Sequence, residues 1–229
     1  MKAQLLVPAA GSGVRLGCED PKALADLCGR PMLARTLARF ESLGLVDKAV
    51  VVAPAHARAA FEACIAAYFP GRGIQLADGG AERQESVHRG LDALEAASEL
   101  VVIHDAARPF VEADCVRRAI AAAAEHGAAT VAVRTVDTIL EEDGAGFLAA
   151  TPDRTRLWAC QTPQVFRARI IREAHHHARQ HGAAATDDAT LVKRCGGVVR
   201  LIEGNARNFK VTTPEDLARA RRLVREEHV

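Results

Sequence analysis

The sequence has few of the features that direct a chain to a membrane, to the cell exterior or to nucleic acid. No apolar run reaches the roughly 18 residues of a membrane span, and the run at 4–7 meets Pro8 too early for the core of a signal peptide. The formal net charge of +1 gives no general attraction for nucleic acid or an anionic membrane. The six cysteines contain no C-x-x-C pair, which favours reduced thiols over disulfides or zinc. We therefore expect a soluble cytoplasmic protein that binds a small phosphorylated molecule, with no nucleic-acid or membrane partner.

Lysine is also scarce, and one lysine follows an unusual loop. The run V-P-A-A-G-S-G-V-R-L from Val7 predicts a strand that opens into Gly11–Gly13, whose backbone N–H groups can point at an anion, and Arg15 and Lys22 add two cations. A P-loop is excluded because Gly-Lys-Ser/Thr is missing, and a dinucleotide fingerprint because Leu16 replaces its third small residue. A tight turn remains the alternative for the glycines alone. Placing one of few lysines at position 22 favours a phosphate-binding loop.

The alternation of short Val/Ile-rich runs with alanine-rich helical runs predicts a parallel sheet covered on both faces. The predicted strands are 3–8, 49–53, 74–77, 100–104, 129–133 and 198–202. The predicted helices are 31–43, 56–68, 83–97, 113–126, 167–181, 187–195 and 214–227. The fold class is therefore α/β, with a Rossmann-like, mostly parallel sheet in a single domain over residues 1–229.

The pattern changes between residues 135 and 158, where a protruding β-hairpin arm is predicted. A turn at 141–146 is flanked by Ile139-Leu140 and Phe147-Leu148. Because a lone hairpin is marginal in water, we expect the arm to pack on the same domain or on a second subunit.

Ligands of such sheets bind beyond the carboxyl ends of the strands, where Gly11, Asp78–Gly80 and Asp105 are predicted to meet. The exposed backbone after Asp78 and the Ser86 hydroxyl could support a base or ribose, although a helix-capping turn is the alternative. Asp105 could hold Mg²⁺ through oxygen, or could instead pair with Arg108. Further hydroxyls and cations suit a second phosphorylated ligand and lie at 153–154, 161–164, 186–188 and 208–212. Since no serine elbow or Cys-His pair appears, these residues favour nucleotidyl transfer.

A histidine run at His175, His176 and His177, with His181 one turn on, raises the possibility of a metal site. We favour a solvated helix surface, because no nearby carboxylate completes an obvious ligand set.

The spaced motifs together resemble one family. Between Leu6 and Leu217 the chain contains, in the order seen in 2-C-methyl-D-erythritol 4-phosphate cytidylyltransferases, the motifs V-P-A-A-G-S-G-x-R-L, P-K, D-G-G-A-E-R-x-x-S-V, H-D-A-A-R-P, D-T, D-R-x-x-L-W, Q-T-P-Q, T-D-D and N-F-K-V-T-T-P-E-D-L. The resemblance implies transfer of CMP from CTP to methylerythritol phosphate with release of pyrophosphate, in the non-mevalonate isoprenoid pathway. It also implies Mg²⁺ dependence, the nucleotidyltransferase fold and a homodimer formed through the hairpin arm.

The resemblance also implies roles for individual residues. Those implied at the nucleotide are Ala9, Ala10, Gly11, Ser12, Gly13, Gly80, Ser86, Asp105 and Ala106, with Asp105 also at the metal. Those implied as catalytic are Arg15, Lys22, Arg154 and Lys210, the last two positioning methylerythritol phosphate. Those implied as further substrate contacts are Arg108, Thr138, Thr162 and Thr186. Because Thr138 and Arg154 fall on the predicted arm, we expect some contacts to come from the other subunit; Thr135 is an alternative alignment for Thr138.

Two other functions remain open from the sequence. A ribitol 5-phosphate cytidylyltransferase shares the fold and most nucleotide motifs, although Ala106-Ala107 before Arg108 favours methylerythritol phosphate. A nucleotide-binding regulator without catalysis would need the loop but not Arg15 with Lys22.

Overall fold

The central sheet explains the buried apolar runs of the sequence. In a computed structural model of the chain, which describes residues 2–11, 13, 16 and 21–227, seven strands are ordered β3-β2-β1-β4-β8-β5-β9. Six of them run parallel, and β8 is antiparallel to both of its neighbours. The sheet strands are β1 (Ala3–Pro8), β2 (Val50–Ala53), β3 (Gln75–Asp78), β4 (Leu100–Ile103), β5 (Ala128–Arg134), β8 (Trp158–Arg167) and β9 (Arg200–Glu203). The predicted mostly parallel sheet is confirmed.

Helices cover both faces of this sheet, as its buried strands require. The helices are α1 (Met32–Ala38), α2 (Arg58–Tyr68), α3 (Arg83–Ala93), α4 (Ala113–His126), α5 (Ala168–Gln180), α6 (Asp188–Arg194) and α7 (Pro214–Glu226). Successive residues of β1 point to opposite faces, so Leu5 packs with α1, α2 and α4 while Leu6 packs with α3, α5 and α6. Helix α7 forms a smaller cluster with Leu27 and Met32. None of the helices in the described part of the chain could cross a membrane.

Strand β8 lies inside the sheet, between β4 and β5, although no strand was predicted over residues 159–166. Its Pro163 is unusual inside a sheet, because proline has no N–H to donate to the ladder. Residues 161–163 lie where the pairing of β8 with β5 shifts register. At such an irregularity the ladder does not need a backbone hydrogen bond from Pro163.

Two helices end earlier than predicted. Helix α1 ends at Ala38 and is followed by a separate short 3-10 helix, Glu41–Leu43. Helix α3 ends at Ala93, because Leu94 takes an extended backbone conformation and turns into the core. The next backbone N–H, that of Glu95, donates to Gln4 Oε1 at 2.9 Å instead of continuing the helix.

The predicted hairpin is present, with its strands displaced from the predicted flanks. Strands β6 (Glu141–Glu142) and β7 (Leu148–Ala150) pair antiparallel. Asp143 Oδ1 accepts from the N–H groups of Ala145 (2.8 Å) and Phe147 (3.1 Å), which fixes the turn beyond Glu142. Phe147 is 72% exposed and Leu148 64%, so within one chain the arm leaves its apolar side chains uncovered.

Candidate functional site

A cleft of about 320 Å³ opens at the carboxyl ends of β1, β3 and β4. Its walls come from the three segments that the sequence analysis placed at this edge, since Gly11, Gly80 and Asp105 all line it. The other predicted site residues that line it are Ala9, Ala10, Lys22, Ser86, Ala106 and Lys210. The topology of the parallel sheet thus brings most of the predicted nucleotide-binding residues together.

The loop after β1 forms one wall of the cleft. The N–H of Ala9 donates to Val52 O at 2.8 Å, which ties the start of the loop to β2. Gly13 has a φ of +68°, and a Cβ built there would lie 2.7 Å from Lys22 Cβ. Only glycine therefore allows Lys22 to approach the loop this closely. The predicted site residues Ser12 and Arg15 lie outside the described residues.

The Gly79-Gly80 segment forms the facing wall. A Cβ at Gly79 would lie 2.3 Å from Ala10 Cβ, so the two walls meet with no room for a side chain. The N–H of Gly80 donates to Ser86 Oγ at 3.0 Å, which fixes this segment to the first turns of α3. The predicted role of Ser86 is thus accompanied by a structural one.

Asp105 is the charged centre of the cleft. Lys210 Nζ lies 2.9 Å from its Oδ2, Arg83 Nε 3.4 Å from its Oδ1 and Arg108 Nε 3.7 Å from its Oδ2. Burial alone would raise the pKa of the Asp105 carboxyl, but the charges of Arg83 and Lys210 outweigh it and hold the pKa well below its usual range. The carboxylate is therefore ionised at neutral pH.

A neutral histidine supports Asp105 from behind. Burial lowers the pKa of His104 to about 4. Its Nε2 lies 2.9 Å from Arg108 O and must donate, so its Nδ1, at 3.1 Å from Thr162 Oγ1, accepts. The Thr162 hydroxyl in turn accepts from the N–H of Asp105 at 3.1 Å. Thr162, predicted to contact substrate, is 4% exposed and is placed here to fix the backbone of Asp105.

Arg83 connects the cleft to the interior. Its Nη1 lies 2.8 Å from Asp188 Oδ2, while His175 Nε2 lies 2.9 Å from Asp188 Oδ1. His175 is 2% exposed, so the expectation of a solvated surface is wrong for this histidine, because it pairs with a buried carboxylate from α6. His176, His177 and His181 do not share this burial.

Arg108 is mostly buried, and both of its terminal nitrogens donate to backbone carbonyls within the chain. Its Nη1 donates to Asn208 O at 2.8 Å and its Nη2 to Cys160 O at 3.3 Å. Asn208 is itself 2% exposed, and its Nδ2 donates to Gln161 Oε1 and Thr162 O. Arg108 thereby joins β8 to the segment that carries Lys210.

The remaining predicted substrate residues lie on the surface of the chain. Thr138 and Arg154 are exposed on the arm, and Arg154 Nη1 donates to Val136 O at 3.0 Å. Thr186 lies in the loop before α6. None of these three is among the residues that line the cleft.

Two carboxylates from the described part of the chain line the cleft, those of Glu82 and Asp105, and Asp105 is the predicted ligand for Mg²⁺. The described residues contain no cluster of three His, Cys, Asp or Glu side chains that could hold a metal by themselves. Mg²⁺ usually takes one or two protein carboxylates and completes its shell with water and substrate phosphates. Asp105 supplies that number of carboxylates, but its two oxygens already contact Lys210, Arg83 and Arg108, so Mg²⁺ would have to displace one of these cations.

Arg83 and His104 lie within the sequence motifs, but neither was predicted to have a role. A cation in the first turn of a helix opposes the helix dipole, so Arg83 at the start of α3 was a signal for a specific carboxylate partner. His104 carried no comparable signal, because its importance comes from β8, which the sequence analysis did not recognise as a strand.

Comparisons with known proteins give one consistent match. The sequence profile of 2-C-methyl-D-erythritol 4-phosphate cytidylyltransferase matches residues 3–226. The protein of that name from Geobacillus kaustophilus is 46% identical over 217 residues, covering 95% of this chain and 94% of the relative. The crystal structure of the Thermus thermophilus protein of the same name has a TM-score of 0.81 at 38% identity, covering 98% of this chain and all of that one. The 4-diphosphocytidyl-2C-methyl-D-erythritol synthase of Anaerococcus prevotii has a TM-score of 0.86 at 26% identity, covering 98% of each chain.

Proposed function

The chain belongs to the 2-C-methyl-D-erythritol 4-phosphate cytidylyltransferase family, and we propose that it transfers CMP from CTP to 2-C-methyl-D-erythritol 4-phosphate in the non-mevalonate isoprenoid pathway. The products are 4-diphosphocytidyl-2-C-methyl-D-erythritol and pyrophosphate. The observation that carries the proposal is the convergence of the loop after β1, Lys22 and Lys210 on one cleft around the ionised Asp105.

The reaction needs this concentration of charge. A phosphate oxygen of the acceptor attacks the α-phosphorus of CTP, a new P–O bond forms, and the bond to the bridging oxygen breaks as pyrophosphate leaves. Enzymic acceleration requires at least about 8 kcal/mol of barrier lowering. One charge pair at ~4 Å supplies about 4 kcal/mol at an effective dielectric near 20. Several cations must therefore act together, and Arg15, Lys22 and a divalent ion are a reasonable minimum.

Each wall of the cleft then has a task. Ala9 to Gly13 would receive the nucleotide phosphates, with Arg15 and Lys22 stabilising the charge that develops at the α-phosphorus. Gly80, Ser86 and Ala106 would bound the nucleotide. Asp105 would hold Mg²⁺, which when bound would neutralise phosphate charge. Lys210 would position the acceptor phosphate, aided by Arg108 and Thr186, while Thr162 acts through the backbone of Asp105.

We further propose a homodimer assembled through the arm. The support is the exposure of Val136, Leu140, Phe147 and Leu148, because apolar side chains grouped on one projection indicate a protein interface. Arg154 and Thr138, which are far along the chain from the cleft residues, would then reach the partner's cleft. We place the enzyme in the cytoplasm, consistent with free thiols at the cysteines of the described residues.

Lys22→Ala tests the central role in this scheme. We expect the turnover rate to fall about 10²- to 10³-fold, as for loss of one transition-state donor, with a much smaller change in CTP affinity. Lys193→Ala on the exposed face of α6 is the matched control. Retained turnover with weakened CTP binding would show that Lys22 serves binding alone.

Arg154→Ala tests the arm. We expect the KM for methylerythritol phosphate to rise far more than that for CTP. An equal loss of affinity for both ligands would place Arg154 elsewhere.

A further inference from the structure

The exposed ion pair between Glu85 and Arg89 lies on α3, outside the cleft. Arg89 Nη2 is 2.6 Å from Glu85 Oε1, four residues apart on the helix. Neither side chain lines the cleft, and both are about half exposed. Taken alone, such a surface pair contributes little to stability.

The second ends of both side chains reach the loop that forms the cleft wall. Glu85 Oε2 accepts from the N–H of Ala81 at 2.8 Å, and Arg89 Nη1 donates to Gly79 O at 2.8 Å. With the Ser86 hydroxyl on the N–H of Gly80, three consecutive residues of the loop are each held by a side chain of α3. The hydrogen bond from Ala81 also lowers the pKa of Glu85, which keeps the acceptor charged.

The backbone of the Gly79–Ala81 loop depends on these three hydrogen bonds to keep one conformation. Gly79 and Gly80 have no Cβ, and a Cβ at Gly80 would lie 2.3 Å from Glu85 Cδ, so the glycine is what lets the carboxylate approach. Glycine pairs have more conformational freedom to lose than any other dipeptide. A wall built from them is fixed only if their backbone groups are held.

We infer that Glu85 and Arg89 are positioning residues that hold the Gly79–Ala81 wall in its nucleotide-binding conformation. This inference rests on the proposed function, because it takes the ligand of that wall to be CTP. Without these hydrogen bonds the loop leaves this conformation in the free enzyme. Nucleotide binding must then reorder the loop, and this entropic cost is the same in the ground state and in the transition state. The KM for CTP therefore rises while kcat and the KM for the acceptor stay nearly constant.

The decisive variant exchanges the two charges, Glu85→Arg together with Arg89→Glu. The exchanged pair can still form an ion pair on α3, but an arginine at position 85 cannot accept from Ala81 N–H and a glutamate at position 89 cannot donate to Gly79 O. A simple helix-stabilising pair would be restored by the exchange, whereas the ties to the loop would not. The matched control is the same exchange at Arg169 and Glu173, an exposed pair on α5 with the same spacing.

We expect Arg89→Ala, Glu85→Ala and the exchanged pair each to raise the KM for CTP by about tenfold, which corresponds to reordering roughly one residue. Glu85→Gln keeps an acceptor for Ala81 N–H and should retain most of the affinity. The unfolding midpoint should shift by less than about 2 °C in every variant. The α5 exchange should leave the KM for CTP unchanged.

Two direct measurements separate this inference from the proposed function. Calorimetric titration with CTP gives its affinity whether or not the protein turns over, and amide hydrogen exchange at Ala81 should be faster in Glu85→Ala. A wild-type protein that binds CTP but does not react would refute the proposed function and leave the comparison of CTP affinities intact. Recovery of the wild-type KM in the exchanged pair, or unchanged CTP affinity in Arg89→Ala, would overturn the inference.

Discussion

Replacing Arg83 with methionine removes a cation that contacts two buried carboxylates. Asp188, whose side chain is 1% exposed, lies 2.8 Å from Arg83 Nη1, and Asp105, at 9%, lies 3.4 Å from Arg83 Nε. Methionine keeps much of the side-chain volume but provides no hydrogen-bond donor. After the substitution Asp105 retains two other cations, whereas Asp188 is left with a histidine, His175.

The loss should be large on the scale of protein stability. At 2.8 Å and an effective dielectric near 20, the Coulomb attraction of the Arg83–Asp188 pair is about 6 kcal/mol. Part of it is offset because the buried guanidinium no longer has to be desolvated, and removing one partner of a buried pair typically costs about 3–5 kcal/mol. We therefore expect the free energy of unfolding to fall by about 3–5 kcal/mol.

Urea denaturation at pH 8 measures the effect, with Asp188→Asn as the companion variant. Asparagine has no charge, so the double variant has no buried, unpaired carboxylate at position 188. We therefore expect the double variant to be markedly more stable than the sum of the two single changes implies. Burial raises the pKa of Asp188, but the charge of Arg83 outweighs this and the net shift is downward from 3.8. The stabilisation is thus present above that pH and lost as pH falls through the lower folded-state pKa, so the gap between wild type and Arg83→Met should narrow in acid. A decrease below about 1 kcal/mol at pH 8, or strict additivity in the double variant, would refute the reasoning.

Three smaller changes test other parts of the structure. Gly90→Ala should lower the free energy of unfolding by about 1–3 kcal/mol in denaturant titrations despite its better helix propensity, because its Cβ would lie 2.4 Å from Leu6 Cδ1; equal or higher stability would show that α3 can move away from β1. Thr213→Ala should cost about 1 kcal/mol by the same assay, since it removes the capping box with Asp216; no loss would mean that the cap is dispensable. Burial lowers the pKa of His104 from 6.5 to about 4, so below pH 6.5 the unfolded state takes up a proton that the folded state does not. The stabilisation of the fold by the neutral ring is therefore complete above pH 6.5 and is lost as the pH falls toward 4. Between pH 7 and pH 5 the free energy of unfolding of the wild type should therefore fall by about 2 kcal/mol more than that of His104→Gln. Equal decreases would refute the assignment of His104 as a neutral ring.

Elements with one dominant physical signal were predictable from the sequence. The strands β1, β2 and β4 are continuous apolar runs because both faces of the sheet are covered, and position at the carboxyl edge then brought Gly11, Gly80 and Asp105 together. Strand β8 could not be recognised, because its polar residues are satisfied by partners distant in sequence. Gln164, for example, donates to Thr130 Oγ1 and accepts from the N–H groups of α6.

The candidate site divides in the same way. Residues that follow strands in glycine-rich or acidic motifs were identified, while those that act through a distant partner were given no role. His104 depends on Thr162, and Arg83 depends on Asp188, 105 positions along the chain. The residues next to His104 and Arg83 in the sequence do not indicate these distant partners. The arm was predicted from its alternating pattern, and its Phe147 and Leu148 side chains stay exposed in the single chain.

The most direct measurement is the initial rate of pyrophosphate release from CTP and Mg²⁺, with methylerythritol 4-phosphate and ribitol 5-phosphate as parallel acceptors. The account predicts rapid release with methylerythritol phosphate and none above background with ribitol phosphate. Release with ribitol phosphate alone, or with neither acceptor, would contradict it.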